Sequence, residues 1–283
     1  MTKITIAIPN RNNDKYLEEA IQSVLNQKDR DFAFFISDNC STDQSLEIIN
    51  KYNNPSIVVF KTNKDLTYHE HLLFLLDKVK TDYVIFLAGD DLILPELIFE
   101  YNNYLQNHIK INETYGFICS KYHLIDKRGV FIGKSLSRLD FNGINKSVNR
   151  NFLKQPIVNI SSVAWNVSKM KNIFIPVTVG NCIDWYLYIA LSRNNNILFI
   201  DKYLLKYRIH DESTGNSNVI AHTKNCMSMF YYVLNNFNYY DQIDIDIINK
   251  NLREFERVIS GSLLYKIKNL IKIFIRRLQS KLE

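Results

Sequence analysis

Tyr83-Val84-Ile85-Phe86-Leu87-Ala88-Gly89-Asp90-Asp91 is an apolar run of strand length that ends on two small residues and two adjacent carboxylates. Pro95 follows shortly and suits the first turn of a helix. Adjacent carboxylates repel each other, and a hard divalent cation relieves that repulsion. Taken alone, the pair is equally well read as one helix-capping Asp and one solvated Asp. The choice depends on where the strand ends in the fold, so the flanking sequence decides it.

Upstream, strand and helix patterns alternate. Lys3–Ile8 is an apolar run closed by Pro9 and predicts a first strand. Asp14–Asn26 places Leu17, Ala20, Ile21, Val24 and Leu25 at helical spacing. Phe32–Ser37 predicts a second strand, and Asp43–Tyr52 a second helix with Ser41, Thr42 or Asp43 available to cap it. Ile57–Lys61 reads as a third strand, and His69–Val79 as a helix with Leu72, Leu73, Leu76 and Val79 inward. This alternation with short loops predicts a parallel sheet covered on both faces. Such sheets bind ligands at the carboxyl ends of their strands. Pro9-Asn10-Arg11-Asn12, Ser37-Asp38-Asn39-Cys40-Ser41 and Asp90-Asp91 all fall there. Polar residues after strands also make turns and caps, the competing reading of each alone.

Downstream, Tyr115–Ser120, Lys121–Ile125 and Val130–Ile132 read as strands, with a turn at Asp126-Lys127-Arg128-Gly129. Val158–Val167 predicts a further strand, Asp184–Arg193 a helix, and Ile197–Ile200 and Tyr203–Ile209 two more strands. From Ala221 the pattern is helical to the end. No linker composition precedes Ser217, so residues 1–216 are expected as one α/β unit and 217–283 as a helical C-terminal region.

The composition, 46% hydrophobic and 23% charged over 283 residues, supports a sizeable core and excludes a disordered polyelectrolyte. Of the net charge of +6, nearly all belongs to residues 262–283, where Lys266, Lys268, Lys272, Arg276, Arg277 and Lys281 face one acid, Glu283. A charge confined to one segment argues against a nucleic-acid-binding fold. In that segment Leu263, Ile267, Leu270, Ile271, Phe274, Leu278 and Leu282 form one helical stripe. A basic amphipathic helix of this kind suits an anionic membrane surface, and a helix packed on the domain is the alternative. The opening MTKITIAIPN lacks a signal-peptide pattern, and no apolar stretch is long enough to span a bilayer. A cytoplasmic protein, peripheral on the inner face of the cell membrane, is the expectation. Cys40, Cys119, Cys182 and Cys226 are far apart and form no CxxC pair, which points to free thiols rather than zinc. Tyr68-His69-Glu70-His71 carries two His at a spacing that does not share a helix face, so it predicts no metal site, although its loop faces the ligand edge.

Ile6-Ala7-Ile8-Pro9-Asn10-Arg11-Asn12, Ala20 to Gln27, Ser37-Asp38-Asn39-Cys40-Ser41-Thr42-Asp43 and Tyr83 to Pro95 together resemble, in order, the nucleotide-binding half of the GT-A glycosyltransferases, specifically the inverting family 2. The resemblance weakens after about residue 100 and returns at Asp184-Trp185 and Tyr207-Arg208-Ile209-His210. It implies an α/β fold: a Rossmann-like GT-A sheet, mostly parallel, flanked by helices, with a helical C-terminal extension. The nucleotide-sugar half would span about 1–100 and the acceptor half about 101–216. It implies nucleotide contacts at Pro9, Asn10, Arg11, Asp38, Asn39 and Asp90, and Mn2+ or Mg2+ at Asp90 with Asp91 and His210 assisting. Arg11 stands where Tyr is common, so a guanidinium would take over the stacking on the base. Ala88 stands where the first Asp of the DxD motif is often found. Asp184 matches the catalytic base that deprotonates an acceptor hydroxyl. The implied donor is a nucleoside diphosphate sugar, commonly of UDP, and the implied acceptor a glycan, lipid-linked when the basic tail is taken with it, as in bacterial polysaccharide assembly. Two alternatives stand beside this. A nucleotidyltransferase would need a Gly-rich phosphate loop, which Pro9 to Asn13 lacks. A catalytically inactive sugar-nucleotide binder or membrane-associated scaffold is kept open by Ala88.

Overall fold

The computed structural model describes residues 3–52, 54–108, 115–135, 143–144, 149–210, 219–237 and 241–261. The expected basic amphipathic helix, residues 262–283, lies outside them. The first half runs β1 (Ile4–Asn10), α1 (Asp14–Leu25), β2 (Ala33–Asp38), α2 (Ser45–Lys51), β3 (Ile57–Lys61), α3 (Tyr68–Lys78), β4 (Tyr83–Phe86), β5 (Leu92–Ile93) and α4 (Leu97–His108). There follow β6 (Tyr115–Ile125), β7 (Phe131–Lys134), β8 (Gly143–Ile144), α5 (Asn149–Lys154), β9 (Val163–Asn166), α6 (Val167–Lys171), α7 (Ile183–Asn194), β10 (Asn196–Arg208), α8 (Val219–Asn236) and α9 (Gln242–Ile259).

The described strands form one sheet in the order β3-β2-β1-β4-β9-β6-β10-β5, with β7 on β6 and β8 on β10. β3, β2, β1 and β4 are parallel, as the alternation requires. β9 then enters antiparallel between β4 and β6, so the sheet is mixed at its centre. The strand period of two divides the core. Ile4, Ile6 and Ile8 of β1 pack with Leu17, Ile21 and Leu97 on one face. Ala7 faces the opposite cluster, which includes Leu72 and Leu76 of α3 and much of α7. Phe230 of α8 and Ile248 and Leu252 of α9 belong to that same cluster, so the described C-terminal helices share the sheet's core.

Local departures from the sequence reading have physical causes. Tyr115–Ser120 and Lys121–Ile125 are one strand, β6, and Ile197–Ile200 and Tyr203–Ile209 merge into β10. Register irregularities between Ile200, Tyr203 and Leu205 absorb the polar Asp201-Lys202 step without breaking the ladder. Val158–Val167 is only half strand, because the Asn159 side chain accepts the Ser161 amide and winds Ile160–Ser162 into a 3-10 turn. In α3, Leu75 lies in the core while Leu73 is half-buried. That helix begins on a capping box in which Thr67 and Glu70 satisfy each other's amides. Among the described residues, no helix is long and apolar enough to cross a membrane.

Candidate active site

The carboxyl ends of β1, β2 and β4 open onto a cavity of about 670 Å³. That is large enough to hold a small organic ligand. Pro9, Asn10, Arg11, Asn39, Asp90, Asp91, Asp184 and His210 all line it, which brings together residues from both halves of the α/β unit. Asp38 does not line it.

The acidic pair sits on a tight turn after β4, where the Asp91 amide donates to the Ala88 carbonyl. Gly89 packs closely against Asn13, since a Cβ there would lie 2.7 Å from its Nδ2 and the Asn13 side chain would have to move. The two carboxylates are used differently. Asp91 is 1% exposed and accepts the Ser161 hydroxyl at 2.6 Å and the Arg208 amide at 2.9 Å. Burial, with the neighbouring Asp90 charge added, pushes its carboxyl well above the usual range. Asp90 is more open, and its Oδ2 lies 2.8 Å from Nε2 of His210.

A buried arginine organises this corner. Arg208, 0% exposed at the end of β10, donates Nε to the Asp90 carbonyl at 2.9 Å and Nη2 to Glu19 at 2.8 Å. Its guanidinium lies 4.6 Å from the centroid of the Tyr16 ring, which in turn contacts the His210 ring at 5.0 Å. The sequence alone does not mark Arg208 or Ser161 as a site residue. Arg208 stood within the Tyr207 to His210 motif, but a charged residue in a strand reads as solvent-facing. Ser161 lay inside an apolar run.

The loops after β1 and β2 brace each other. Asn10 Nδ2 donates to Oδ1 of Asp38 at 2.9 Å, and the Ser41 amide donates to its Oδ2 at 3.0 Å. The Asp38 carboxylate is thus turned into the loop and holds Asn10, whose own Oδ1 is buried with no partner among the described residues. Asn39 accepts the Leu66 amide and the Thr62 hydroxyl, each at 2.9 Å, and donates to the Leu66 carbonyl, pinning the segment before α3. Arg11 forms an exposed ion pair with Asp65 at the cavity rim. From the Tyr68 to His71 stretch, Tyr68 and His71 line the cavity, and His71 Nε2 lies 2.8 Å from Ser37 Oγ.

Asp184 stands in the first turn of α7. Burial raises its pKa, with the nearby His222 opposing. A carboxylate so placed is a stronger base than an exposed one.

Asp90 and His210 offer one oxygen and one nitrogen 2.8 Å apart at the cavity. That separation is close to the roughly 3 Å edge of an octahedron with bonds of about 2.1 Å, so the pair fits a Mn2+- or Mg2+-sized ion.

The sheet order and the site define an α/β protein with a ligand-sized cavity at the carboxyl edge of its parallel strands. Residues 5–164 match the model of Glycosyl transferase family 2, and the chain belongs to that family. An uncharacterized glycosyltransferase of Rickettsia bellii is 25% identical over 236 residues, covering 83% of this chain but only 33% of that protein. The Staphylococcus aureus poly(ribitol-phosphate) beta-N-acetylglucosaminyltransferase TarS is 27% identical over 113 residues, 38% of this chain and 20% of its own length. A crystal structure of TarS 1–349 with UDP-GlcNAc superposes with a TM-score of 0.70 at 18% identity, covering 94% of this chain and 76% of that one. The mannosyltransferase PcManGT of Pyrobaculum calidifontis, solved with GDP-Man and Mn2+, gives a TM-score of 0.61 at 11% identity over 96% of this chain and 80% of that one. At these identities the structural likenesses establish the fold, which is GT-A.

Proposed function

We propose that the chain is an inverting glycosyltransferase that moves a sugar from a nucleoside diphosphate sugar to a hydroxyl of a glycan acceptor. The observation that carries this reading is that Asp184 and the Asp90–His210 pair line one cavity at the carboxyl edge of the sheet. Asp184 takes the proton of the acceptor hydroxyl as its oxygen attacks the anomeric carbon, and the nucleoside diphosphate leaves from the opposite face. A Mn2+ or Mg2+ ion held by Asp90 and His210 would supply charge neutralisation for that leaving group. Asp91 sets the turn from behind through Ser161 and Arg208. The loops carrying Pro9, Asn10, Arg11 and Asn39 frame the base and ribose, with Asp38 fixing Asn10 from within.

TarS was solved with UDP-GlcNAc, which supports a UDP-sugar donor here. PcManGT was solved with Mn2+, which supports the metal. TarS is a poly(ribitol-phosphate) beta-N-acetylglucosaminyltransferase, which supports an acceptor in surface-polymer synthesis here. The basic, amphipathic sequence of residues 262–283, taken with the family, supports a lipid-linked acceptor and a peripheral position at the inner membrane face.

Thermal shifts with UDP-, GDP- and TDP-sugars, with and without Mn2+, test donor and metal together. One nucleotide should stabilise the protein, and more so with Mn2+. Asp184→Asn should keep that donor shift while turnover falls by about 10²- to 10⁴-fold. Unchanged turnover in Asp184→Asn would remove the base from the mechanism. Donor binding without turnover on any acceptor extract would favour the inactive binder.

A further inference from the structure

The cysteines that looked isolated in the sequence are not all isolated in space. Cys182 closes a 3-10 turn (Val177–Cys182) immediately before α7. Its Sγ lies 3.7 Å from Nδ1 of His222 on α8. The Sγ of Cys226, one turn further along α8, lies 3.6 Å from Nε2 of the same imidazole. One donor atom from each of the three residues falls within 4.8 Å of the other two. Both cysteines are 1% exposed, whereas His222 reaches the wall of the large cavity.

The backbone is built for this approach. His222 and Cys226 share a helix face because they are four apart. Gly180 has a φ of 49° and sits so close to α8 that a Cβ would lie 2.5 Å from Nδ2 of Asn225. A glycine is what lets the turn carrying Cys182 press against the helix carrying the other two ligands.

We propose that Cys182, His222 and Cys226 form a zinc site that clasps the start of α7 to α8 beside the donor cavity. Tetrahedral Zn2+ with bonds of about 2.3 Å to sulfur and about 2.0 Å to nitrogen has sulfur–nitrogen edges of roughly 3.5 Å. One sulfur stands at that distance from the ring nitrogen that would ligate, the other faces the second ring nitrogen, and with the three donor atoms within 4.8 Å of one another a side-chain rotation closes the set on one ion. Two sulfurs and an imidazole suit Zn2+ and disfavour the hard cations that Asp90 would hold, so the sites select different metals. Three protein ligands leave a fourth coordination position open. Cys182 lies two residues before Asp184, so the clasp fixes the first turn of α7 on which that carboxylate stands. The site requires no particular donor or acceptor, and it stands or falls apart from the glycosyl-transfer reading.

Cobalt and zinc binding to the chelator-treated, reduced full chain tests it. Co2+ should bind one equivalent per chain with thiolate charge-transfer absorption in the near ultraviolet and visible bands of tetrahedral intensity, and Zn2+ should displace it. The C182S/C226S double variant should lose those bands. In the unmodified protein, Zn2+ should slow iodoacetamide labelling of Cys182 and Cys226 by at least about tenfold, read by mass spectrometry, because labelling waits on local opening. Exposed Cys40 should label at an unchanged rate and serves as the internal control. Absence of the charge-transfer band in the wild type, its survival in the double variant, or labelling indifferent to Zn2+ would each overturn the site. The labelling arm needs no variant, so a double variant that fails to fold leaves the proposal open to disproof.

Discussion

The backbone amide of Arg208 donates to Oδ1 of Asp91 at 2.9 Å, while its Nε donates to the carbonyl of Asp90 at the same distance. One residue at the end of β10 therefore grips both members of the acidic pair. This makes Asp91 a strut of the turn and leaves Asp90 as the carboxylate that meets His210. It also ties the far end of the α/β unit to the loop after β4, so the turn cannot move without β10.

Arg208→Ala should accordingly cost about 3 kcal/mol of stability, because it empties buried space beside Tyr16 and strands the Asp90 carbonyl. Glu19→Gln should cost less than about 1 kcal/mol, because the Glu19 side chain is 56% exposed and the ion pair is screened on that side. Urea unfolding with unchanged m-values measures both. Equal losses in the two variants would show that the ion pair, and not the buried guanidinium, carries the corner.

Asp90→Asn preserves the shape of the side chain and removes its charge. Under the proposed mechanism kcat/KM should fall about 10²- to 10³-fold. The additional thermal shift seen with Mn2+ should vanish, while the smaller metal-free donor shift remains. A variant that keeps its Mn2+-dependent shift would move the metal away from Asp90.

Gly89→Ala probes the fit of the acidic turn against α1. The added Cβ would meet Nδ2 of Asn13, the far end of a short side chain that can swing aside. Stability should therefore change by less than about 1 kcal/mol, within the ordinary range for a tolerated substitution. Asn13 lines the cavity, so its displacement should raise the donor KM more than it lowers kcat. The reverse pattern would mean that Gly89 shapes the reacting centre itself.

The parallel half was legible because its strands are continuous apolar runs and its turns are marked by Pro, Asn and Asp. The position of Asp90-Asp91 at a strand end followed from that alternation alone. β9 was harder to place. Nothing local in Val163–Asn166 says that it will run antiparallel between β4 and β6, because both neighbours are distant in sequence. Asp38 shows a different limit. Its position at the ligand edge was readable, but the inward turn of its carboxylate depends on Asn10 and the Ser41 amide, which are matters of side-chain geometry. Arg208 was hidden by its charge, and the Cys182–His222–Cys226 group by separation, since no spacing rule links a turn before one helix to the face of another.

His71 gives the stability a pH dependence whose sign follows from its burial. It is 3% exposed, and burial pushes its pKa from 6.5 down to about 4 against the opposing pull of the Asp38 charge. The folded protein therefore keeps the imidazole neutral where the unfolded chain would protonate it. The unfolded state binds more protons as pH falls from 6.5 toward 4, so stability is full above 6.5 and is lost through that window. The loss from this residue reaches about 3 kcal/mol at the acid end. His71→Asn retains a polar group for Ser37 but cannot titrate, so it should flatten the curve across that window even if its stability at neutral pH is lower. Urea midpoints measured for both proteins across the window isolate the contribution, because His69 and the carboxylates titrate in both. Parallel curves would show that His71 becomes charged in the folded state without penalty, which would require Ser37 and Asp38 to rearrange around an imidazolium.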